Sequence, residues 1–341
     1  MPMFEILQPG LLSTLQDQGR MGMRHLGIPW SGVMVPPWQM LANALVGNDT
    51  NNTIIECFEG AFLGVFKQAS RIAVAADDSA TLTLINDDKE TPCQPFRSYD
   101  VSIGTKLNIK STGDLRLAVL AIKGLKVADQ LGSTATYIKA ELGGISGRAL
   151  ETGDELEVSQ ATGPLLFANA LSIPGLSTGE LHAVPGPQEH HFSKHGLHVF
   201  FSSEFELTAE ADRMGSRLQG PAIEHRNVAA RDIVSDAILP GSVQVPGNGQ
   251  PIVLLADAHT AGGYPKIATV VSLDLSVLAL ARPGTQFRFK QISASDAVQL
   301  TRNYRADVQR ALSSLQLVTD TIDTRSLLAH NLIDGVTDGS S

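Results

Sequence analysis

The chain has few of the features that mark secreted, membrane or nucleic-acid-binding proteins. Only two cysteines occur in 341 residues, Cys57 and Cys93, so no disulfide framework is implied. The formal net charge is −9 and there is no basic run, which argues against nucleic acid or an anionic membrane as partner. No apolar stretch approaches membrane-spanning length, and residues 1–5 lack the pattern of a signal peptide. We therefore expect a cytoplasmic protein.

Motifs for covalent and nucleotide chemistry are also missing. There is no A-M-K-M-type attachment motif, so biotin is not carried covalently. No G-K-[ST] phosphate loop occurs, so ATP is not expected to bind here through a P-loop. Gly144-Ile145-Ser146-Gly147 is not a G-x-S-x-G nucleophile turn, and the histidines around His191 and His195 lack the residues that would complete a metal site. Such a chain is expected to work within a larger assembly.

What the chain does contain is the pattern of a mainly β protein. Apolar residues make up 43% of it, and 31 glycines and 17 prolines suit many turns. Short runs rich in Val, Ile, Leu and Phe predict strands at residues 115–122, 197–202, 205–208, 252–256, 267–271 and 285–289. Helices are predicted at residues 36–46, 229–239 and 294 to about 317.

An internal repeat indicates two related halves. R-M-G-x-R-x-x-G occurs at Arg20 and again at Arg213, and G-T-x-apolar-x-apolar-K occurs at Gly104 and again at Gly284. Two copies at so long a spacing are typical of a duplicated domain. The Gly-, Pro- and Ser-rich residues 161–178 are the predicted linker.

The polar segment between the strands at 252–256 and 267–271, with the turn before them, is the main candidate site. Loops held by rigid strands often carry function, although ordinary turn chemistry would use the same residue types. Primary amides suit an amide-like substrate because each pairs a donor with an acceptor; they are Gln188, Gln244, Asn248 and Gln250. The paired Gly262 and Gly263, with a lysine close behind, could hold a carboxylate or phosphate.

This segment resembles the signature of one family. The strings are Q-V-P-x-x-G-Q-P-I-V-L and D-x-x-T-x-G-G-Y-P-K-I-A-T, and further blocks agree in order at residues 14–20, 41–48, 143–150, 186–188 and 212–220. The family is known as allophanate hydrolase subunit 2, as biotin-dependent carboxyltransferase, or as the C subunit of 5-oxoprolinase (KipA-type). The resemblance covers roughly residues 3–291.

The resemblance implies two tandem cyclophilin-like β-barrel domains with a C-terminal helical tail. We expect residues 1–165 to form the first half, residues 166–291 the second half with the signature loop, and residues 292–341 the tail. The resemblance implies that the chain is the C subunit of an ATP-dependent 5-oxoprolinase, with a KipI-type B subunit and an A subunit as partners. Because the chain lacks nucleotide-binding and nucleophile motifs, we expect it to be inactive alone. The alternatives are the carboxyltransferase half of a biotin-dependent urea or amide carboxylase, and a regulatory partner of a KipI-type kinase inhibitor.

Roles can be assigned to the candidate residues on this basis. Asp257 is a candidate acid or base that could equally hold its loop, and Lys266 is a candidate catalytic cation. A substrate-binding role is predicted for Gln188, Arg213, Arg217, Gln244, Asn248, Gln250, Thr260, Gly262, Gly263 and Tyr264. The two arginines could instead form structural ion pairs.

Four positions depart from the family's usual pattern. They are Val35, where an acid is expected, Ala135, where a serine is expected, and His259 and Ala261, where Gln and Thr are common. These departures bear on the substrate more than on the fold.

Overall fold

The computed structural model describes residues 3–87, 89–168 and 179–318. The predicted mainly β architecture with a C-terminal helix is confirmed. The strands of the first half are Met3–Pro9 (β1), Leu12–Gln16 (β2), Ile54–Phe58 (β3), Phe62–Phe66 (β4), Ser70–Ala75 (β5), Thr81–Asn86 (β6), Lys89–Cys93 (β7), Ser98–Val101 (β8), Lys106–Ser111 (β9), Leu117–Ile122 (β10) and Glu155–Glu157 (β11).

The remaining strands are Leu166–Phe167 (β12), Glu180–Pro185 (β13), Glu204–Ala211 (β14), Gly215–Gln219 (β15), Asp236–Ala237 (β16), Ser242–Gln244 (β17), Ile252–Leu254 (β18), Ala261–Gly262 (β19), Lys266–Val270 (β20), Gln286–Gln291 (β21) and Gln316–Leu317 (β22). The α-helices of the described residues are Pro36–Leu45 (α1), Lys194–Ser202 (α2), Ser272–Leu280 (α3) and Ala294–Ser313 (α4).

The first half consists of two antiparallel sheets. One has the order β11-β1-β4-β9-β6-β7 and the other β2-β3-β10-β5-β8. Strand β10 is buried on both faces, and its side chains divide with the period of two that a strand imposes. Leu120 belongs to the core shared with Phe4 and Phe62, whereas Val119 belongs to a second core that includes Trp38 of α1.

The second half closes into a barrel with the order β13-β20-β17-β18-β15-β14-β21. A ring of seven strands cannot be antiparallel throughout, and the parallel pair is β13 with β21. The barrel interior is filled by aromatic and branched side chains, among them Phe205, Phe287 and Phe289.

One apolar cluster joins the halves, because Trp38 and Val119 of the first half share it with Phe289 of the second. Hydrogen bonds cross the same junction, including Ser31 N to Ala256 O at 3.1 Å. The predicted boundaries at residues 165 and 291 stay predictions. Much of the predicted linker, and the tail beyond residue 318, lie outside the described residues.

Helix α1 follows its sequence signals. Pro36 and Pro37 occupy the first turn, where a missing N–H costs nothing, and the helix ends just before Gly47, which has φ 73°. Val35, at the position where the family pattern has an acid, is the N-cap residue, and no side-chain cap is made there. Instead Val35 is buried in the core.

Two local predictions were wrong. Residues 197–202 form part of α2 rather than a strand, because Ser193 caps the helix by accepting a hydrogen bond from Gly196 N at 2.9 Å. Gly196 does not interrupt this helix; a Cβ there would lie 2.2 Å from Glu224 O, so glycine permits the close approach. Residues 229–239 form only a short turn at Val228–Arg231, followed by β16, instead of a helix.

The repeat is matched in part. Arg20 follows β2 and Arg213 follows β14. Each of these strands forms an antiparallel pair with the next strand along the chain, β2 with β3 and β14 with β15. The two copies of the second repeated string, G-T-x-apolar-x-apolar-K, lead into strands with different positions in their sheets. Strand β9 pairs with β4 and β6, whereas β21 pairs with β13 and β14. Duplication of the halves stays a prediction.

No helix within the described ranges is both long and apolar enough to cross a membrane.

Candidate functional site

A cavity of about 660 Å³ opens beside the predicted signature loop. Its wall comes from the β14–β15 hairpin, from β17 and β18, and from the loop at residues 258–264, with Lys139 added from the first half. Five of the predicted substrate-binding residues line this cavity: Arg217, Gln244, Gly262, Gly263 and Tyr264. We call it the Gln244 cavity.

Gln244 is the most informative residue of this wall. It lies on β17 and is only 6% exposed, and its Nε2 is buried without a hydrogen-bond partner among the described residues. A buried donor left unpaired costs about 1–3 kcal/mol. A turn of the amide about its terminal torsion, which has a broad energy minimum, would carry this donor toward a ligand.

The close approach of Gln244 explains why position 262, the first of the paired glycines, is a glycine. A Cβ built at this position would lie 2.5 Å from Gln244 Nε2, so any larger residue would displace the amide. Gly262 also belongs to the short ribbon in which it pairs with Asp236. The paired glycines therefore provide close approach at this wall.

Positive charge reaches the Gln244 cavity from both halves. Arg217 lies 3.0 Å from Glu210 in an exposed ion pair. Lys139, on the turn Ile138–Ala140, is exposed, and no ion pair joins it to any other residue that the structure describes. Because Arg217 is paired with Glu210, which also lines the cavity, Lys139 is the cation of the described wall that is left for a ligand carboxylate.

Other groups on the wall are already used or differ from the family pattern. The Asp212 carboxylate accepts hydrogen bonds from Met214 N at 2.7 Å and Gly215 N at 3.2 Å, so it holds the hairpin turn. His259 brings an imidazole to the wall where Gln is common in the family. Among the described residues that line the cavity there is no serine, threonine or cysteine, so this wall offers no hydroxyl or thiol nucleophile from those residue types.

Lys266 lies beside the cavity but does not line it. Its Nζ is 2.6 Å from Asp236 Oδ2 and 2.6 Å from Ala237 O, and the residue is 3% exposed. The Lys266 ammonium lowers the pKa of Asp236, whose side chain is half exposed. Gln188 completes this group by donating to Asp236 Oδ2 at 3.1 Å and accepting from Lys266 N at 3.2 Å. These contacts fix β16 against β20.

Arg213 and Asp257 form a buried ionic cluster with Glu56 of the first half. Arg213 Nε donates to Asp257 Oδ2 at 3.0 Å, Nη2 donates to Gly32 O at 2.6 Å, and Nη1 donates to Glu56 Oε1. Burial lowers the pKa of Arg213, but the carboxylates of Asp257 and Glu56 outweigh burial and raise it above its usual value. Both predicted site residues are therefore engaged in an internal ion pair at the junction of the halves.

Three further predicted residues serve turns. Gln250 accepts from Gly220 N at 2.8 Å and donates to Gly220 O at 3.1 Å, and Asn248 accepts from Gln250 N at 3.1 Å. The carbonyl of Thr260 accepts from Ile238 N at 3.1 Å. The structure does not bring these side chains to the Gln244 cavity.

The first R-M-G-x-R string also has a positioning role. Arg24 Nη2 donates to Ile238 O and His259 O, both at 2.6 Å, and so fixes the signature loop from the first half. Arg20 is buried and donates to Gln130 O at 3.1 Å, and burial lowers its pKa. In the histidine cluster, His191 Nδ1 lies 3.0 Å from Ala230 O, and the described residues contain no cluster of three or more His, Cys, Asp or Glu side chains placed to hold a metal ion.

Sequence reasoning missed Glu56 and Lys139. Glu56 had a detectable signal, because a lone acid stands in the otherwise apolar strand I-I-E-C-F and must find a buried partner. Lys139 had none, because it is one exposed lysine among many until the fold brings its turn to the second half.

The family model described as "Carboxyltransferase domain, subdomain A and B" matches residues 26–291. The chain is 33% identical to the C subunit of the 5-oxoprolinase of Escherichia coli (strain K12) over 321 residues, which are 92% of this chain and 97% of that protein. It is 35% identical to the corresponding 5-oxoprolinase protein of Haemophilus influenzae over 301 residues, 88% of this chain and 94% of that protein.

Among solved structures, the K. lactis urea amidolyase is similar with a TM-score of 0.81 and 26% sequence identity. The match covers 90% of this chain but only 20% of that one, which is a much longer protein.

Proposed function

Because this chain belongs to the family of carboxyltransferase domains with subdomains A and B, we propose that it is the C subunit of a cytoplasmic, ATP-dependent 5-oxoprolinase that converts 5-oxo-L-proline to L-glutamate. The observation that carries the proposal is its similarity to the Escherichia coli and Haemophilus influenzae proteins over nearly their whole length. The A and B subunits of such an enzyme are its proposed partners, and the chain alone is proposed to be inactive.

The chemistry of the Gln244 cavity supports this substrate. 5-Oxoproline carries a lactam carbonyl and a carboxylate. The unpaired Nε2 of Gln244 suits the lactam oxygen, and Lys139, on the same cavity wall, suits the carboxylate. Tyr264 and Gly263 form the adjoining wall.

Asp257 and Lys266, first considered as catalytic, receive a positioning role in this proposal. Each is held by short contacts to charged partners, and neither lines the cavity. In the proposed reaction ATP activates the unreactive lactam and water then opens it, with the activating groups supplied by the partner proteins.

The test is glutamate release by the assembled complex. The chain is co-expressed with its two partner proteins, and ATP-dependent conversion of 5-oxoproline is measured for wild type, Gln244→Ala and Lys139→Ala. Loss of a hydrogen bond to a charged group costs about 1.5–3 kcal/mol, so Lys139→Ala should raise KM about tenfold or more. Gln244→Ala, which removes a bond between neutral groups, should lower kcat/KM about fivefold.

The matched control is Lys106→Ala, an exposed first-half lysine on β9 that does not line the cavity. It should leave KM unchanged. Turnover by the purified chain without partners would contradict its dependence on them, and equal effects of Lys139→Ala and Lys106→Ala would contradict the placement of the substrate.

A second candidate function is the carboxyltransferase half of a biotin-dependent urea or amide carboxylase. The similarity of this chain to the K. lactis urea amidolyase favours it. Biotin would then be carried by a partner protein. Since urea has no carboxylate, biotin-dependent carboxylation of urea that is insensitive to Lys139→Ala would support this function over the first.

A further inference from the structure

A second cavity, of about 600 Å³, lies at the junction of the two halves and the C-terminal helix. The connection before α1 and the start of α1 supply one side, α3 supplies another, and α4 supplies the third. We call it the interface cavity. It shares no lining residue with the Gln244 cavity.

The wall of the interface cavity is mainly apolar. Its larger side chains include Trp30, Met34, Met40, Leu273, Leu275 and Val308. Methionine side chains adapt their shape to what they contact, so the three that line this cavity, Met21, Met34 and Met40, suit an apolar ligand of variable outline. Burial of an alkyl chain here would strengthen binding about threefold or more for each added methylene.

Helix α4 supplies four polar side chains to the interface cavity: Thr301, Tyr304, Arg305 and Gln309. Arg305 is the one formally charged residue of the described wall, and it makes no ion pair within residues 3–87, 89–168 and 179–318. Tyr304 stands next to it, and burial, with the charges of Asp274 and Asp307, raises the pKa of Tyr304 to about 12. Its hydroxyl therefore remains a hydrogen-bond donor at neutral pH. Neither aspartate lines the cavity.

We propose that the interface cavity is a binding site for a small apolar monocarboxylate, with its alkyl or aryl part against Met34, Met40 and Leu275 and its carboxylate at Arg305. Charge complementarity selects an anion, because the described wall carries a cation and donors but no acid. The mainly apolar wall selects a ligand that is otherwise apolar, unlike the compact polar ligand proposed for the Gln244 cavity.

The test measures octanoate and 1-octanol binding to the purified full chain by isothermal titration calorimetry. One octanoate should bind per chain, and octanol, which lacks the charge, should bind about tenfold more weakly. Arg305→Gln should abolish the preference for octanoate. Arg302→Gln is the matched control, since Arg302 is exposed on the same helix but does not line the cavity, and it should retain the preference.

Two further variants separate the sites. Met40→Trp fills the interface cavity and should remove binding of both ligands, with thermal melting used to verify the fold. Gln244→Ala should leave octanoate binding unchanged, so that failure of this proposal is distinct from failure of the proposed enzymatic function. Should Met40→Trp not fold, the Arg305 and Arg302 variants decide the question alone.

The proposal is overturned if octanoate does not bind at millimolar concentration, or if octanol binds as tightly as octanoate. It is also overturned if Arg302→Gln and Arg305→Gln have equal effects, or if binding persists in a folded Met40→Trp protein.

Discussion

The Arg213 cluster and the Gln244 cavity are built from neighbouring parts of the chain, but their polar groups are used in opposite ways. In the cluster, Arg213 donates from all three guanidinium nitrogens, to Asp257, Glu56 and Gly32. In the cavity, a buried amide nitrogen of Gln244 has no partner among the described residues, and the cationic side chains are exposed.

This difference separates architecture from recognition. A buried ion pair whose donors and acceptors are all matched fixes the relative position of the elements that carry it. It leaves no free donor or acceptor for a ligand. An unmatched donor in a cavity wall is a cost that a ligand can remove. Both groups lie in or beside the signature segment, and only the hydrogen-bond partners tell them apart.

The largest expected effect comes from breaking the cluster. Arg213→Met leaves Glu56 and Asp257 buried without their cation, and removal of one partner from a buried pair costs about 3–5 kcal/mol. Urea unfolding should therefore show a large drop in the free energy of unfolding. The control Arg217→Met removes an exposed pair and should cost about 1 kcal/mol or less.

Equal losses for these two variants would show that Arg213 is not the structural centre of the junction. A stable Arg213→Met protein with raised KM for 5-oxoproline would return Arg213 to the substrate site.

Sequence reasoning located the elements of this region well. The strands predicted at residues 252–256 and 267–271 correspond to β18 and β20, and α1 begins at Pro36 as its prolines indicate. Such local patterns predict the observed strands and helices because the periodicity of burial and the fixed φ of proline act within a few residues. Residues 197–202 show where local patterns fail, because they were predicted as a strand and form part of α2. The close packing of Gly196 in this helix against Glu224 depends on a residue distant in sequence, which a local pattern does not contain.

The roles of the site residues stay predictions, because partners far apart in sequence decide which side chains are already engaged. Arg213 meets Glu56, which lies 157 residues earlier, and Lys266 meets Asp236, 30 residues earlier. A motif identifies residues with suitable chemistry, but it does not show which of them are already paired. Gln244 and Gln250 have the same side chain, yet one has an unpaired amide nitrogen and the other makes two bonds to Gly220.

The second-largest effect is expected at Lys266. Lys266→Met keeps the apolar stem and removes the two bonds to Asp236 and Ala237, so we expect a loss of about 1–3 kcal/mol in the free energy of unfolding. In the assembled complex the substrate KM should change less than in Lys139→Ala. A stable Lys266→Met protein with abolished turnover would instead support the catalytic role first predicted for Lys266.

A smaller effect should distinguish the two glutamines. Gln250→Ala removes both bonds to Gly220 and should destabilise the fold by about 1 kcal/mol with little direct effect on KM. Gln244→Ala relieves the cost of an unpaired buried donor but loses the packing of the side-chain stem, so it should destabilise the fold less than Gln250→Ala does while lowering kcat/KM. Paired urea titrations and steady-state kinetics provide the check, and a reversed order of stabilities would contradict the distinction between paired and unpaired groups.

The smallest effect concerns the pH dependence of the Lys266–Asp236 pair. Lys266 lowers the pKa of Asp236 in the folded protein, so the folded state binds its proton more weakly than the unfolded chain does. The stabilisation is therefore complete above the unfolded pKa of about 4 and disappears as the pH falls through the lower folded-state pKa.

Asp236→Asn cannot titrate and lacks this contribution at every pH. The difference in melting temperature between wild type and Asp236→Asn should be small and constant from about pH 6 to 8, and it should shrink as the pH falls below about 4. A difference that grew on acidification would mean that Asp236 holds its proton more tightly in the folded protein, which would contradict the pairing with Lys266.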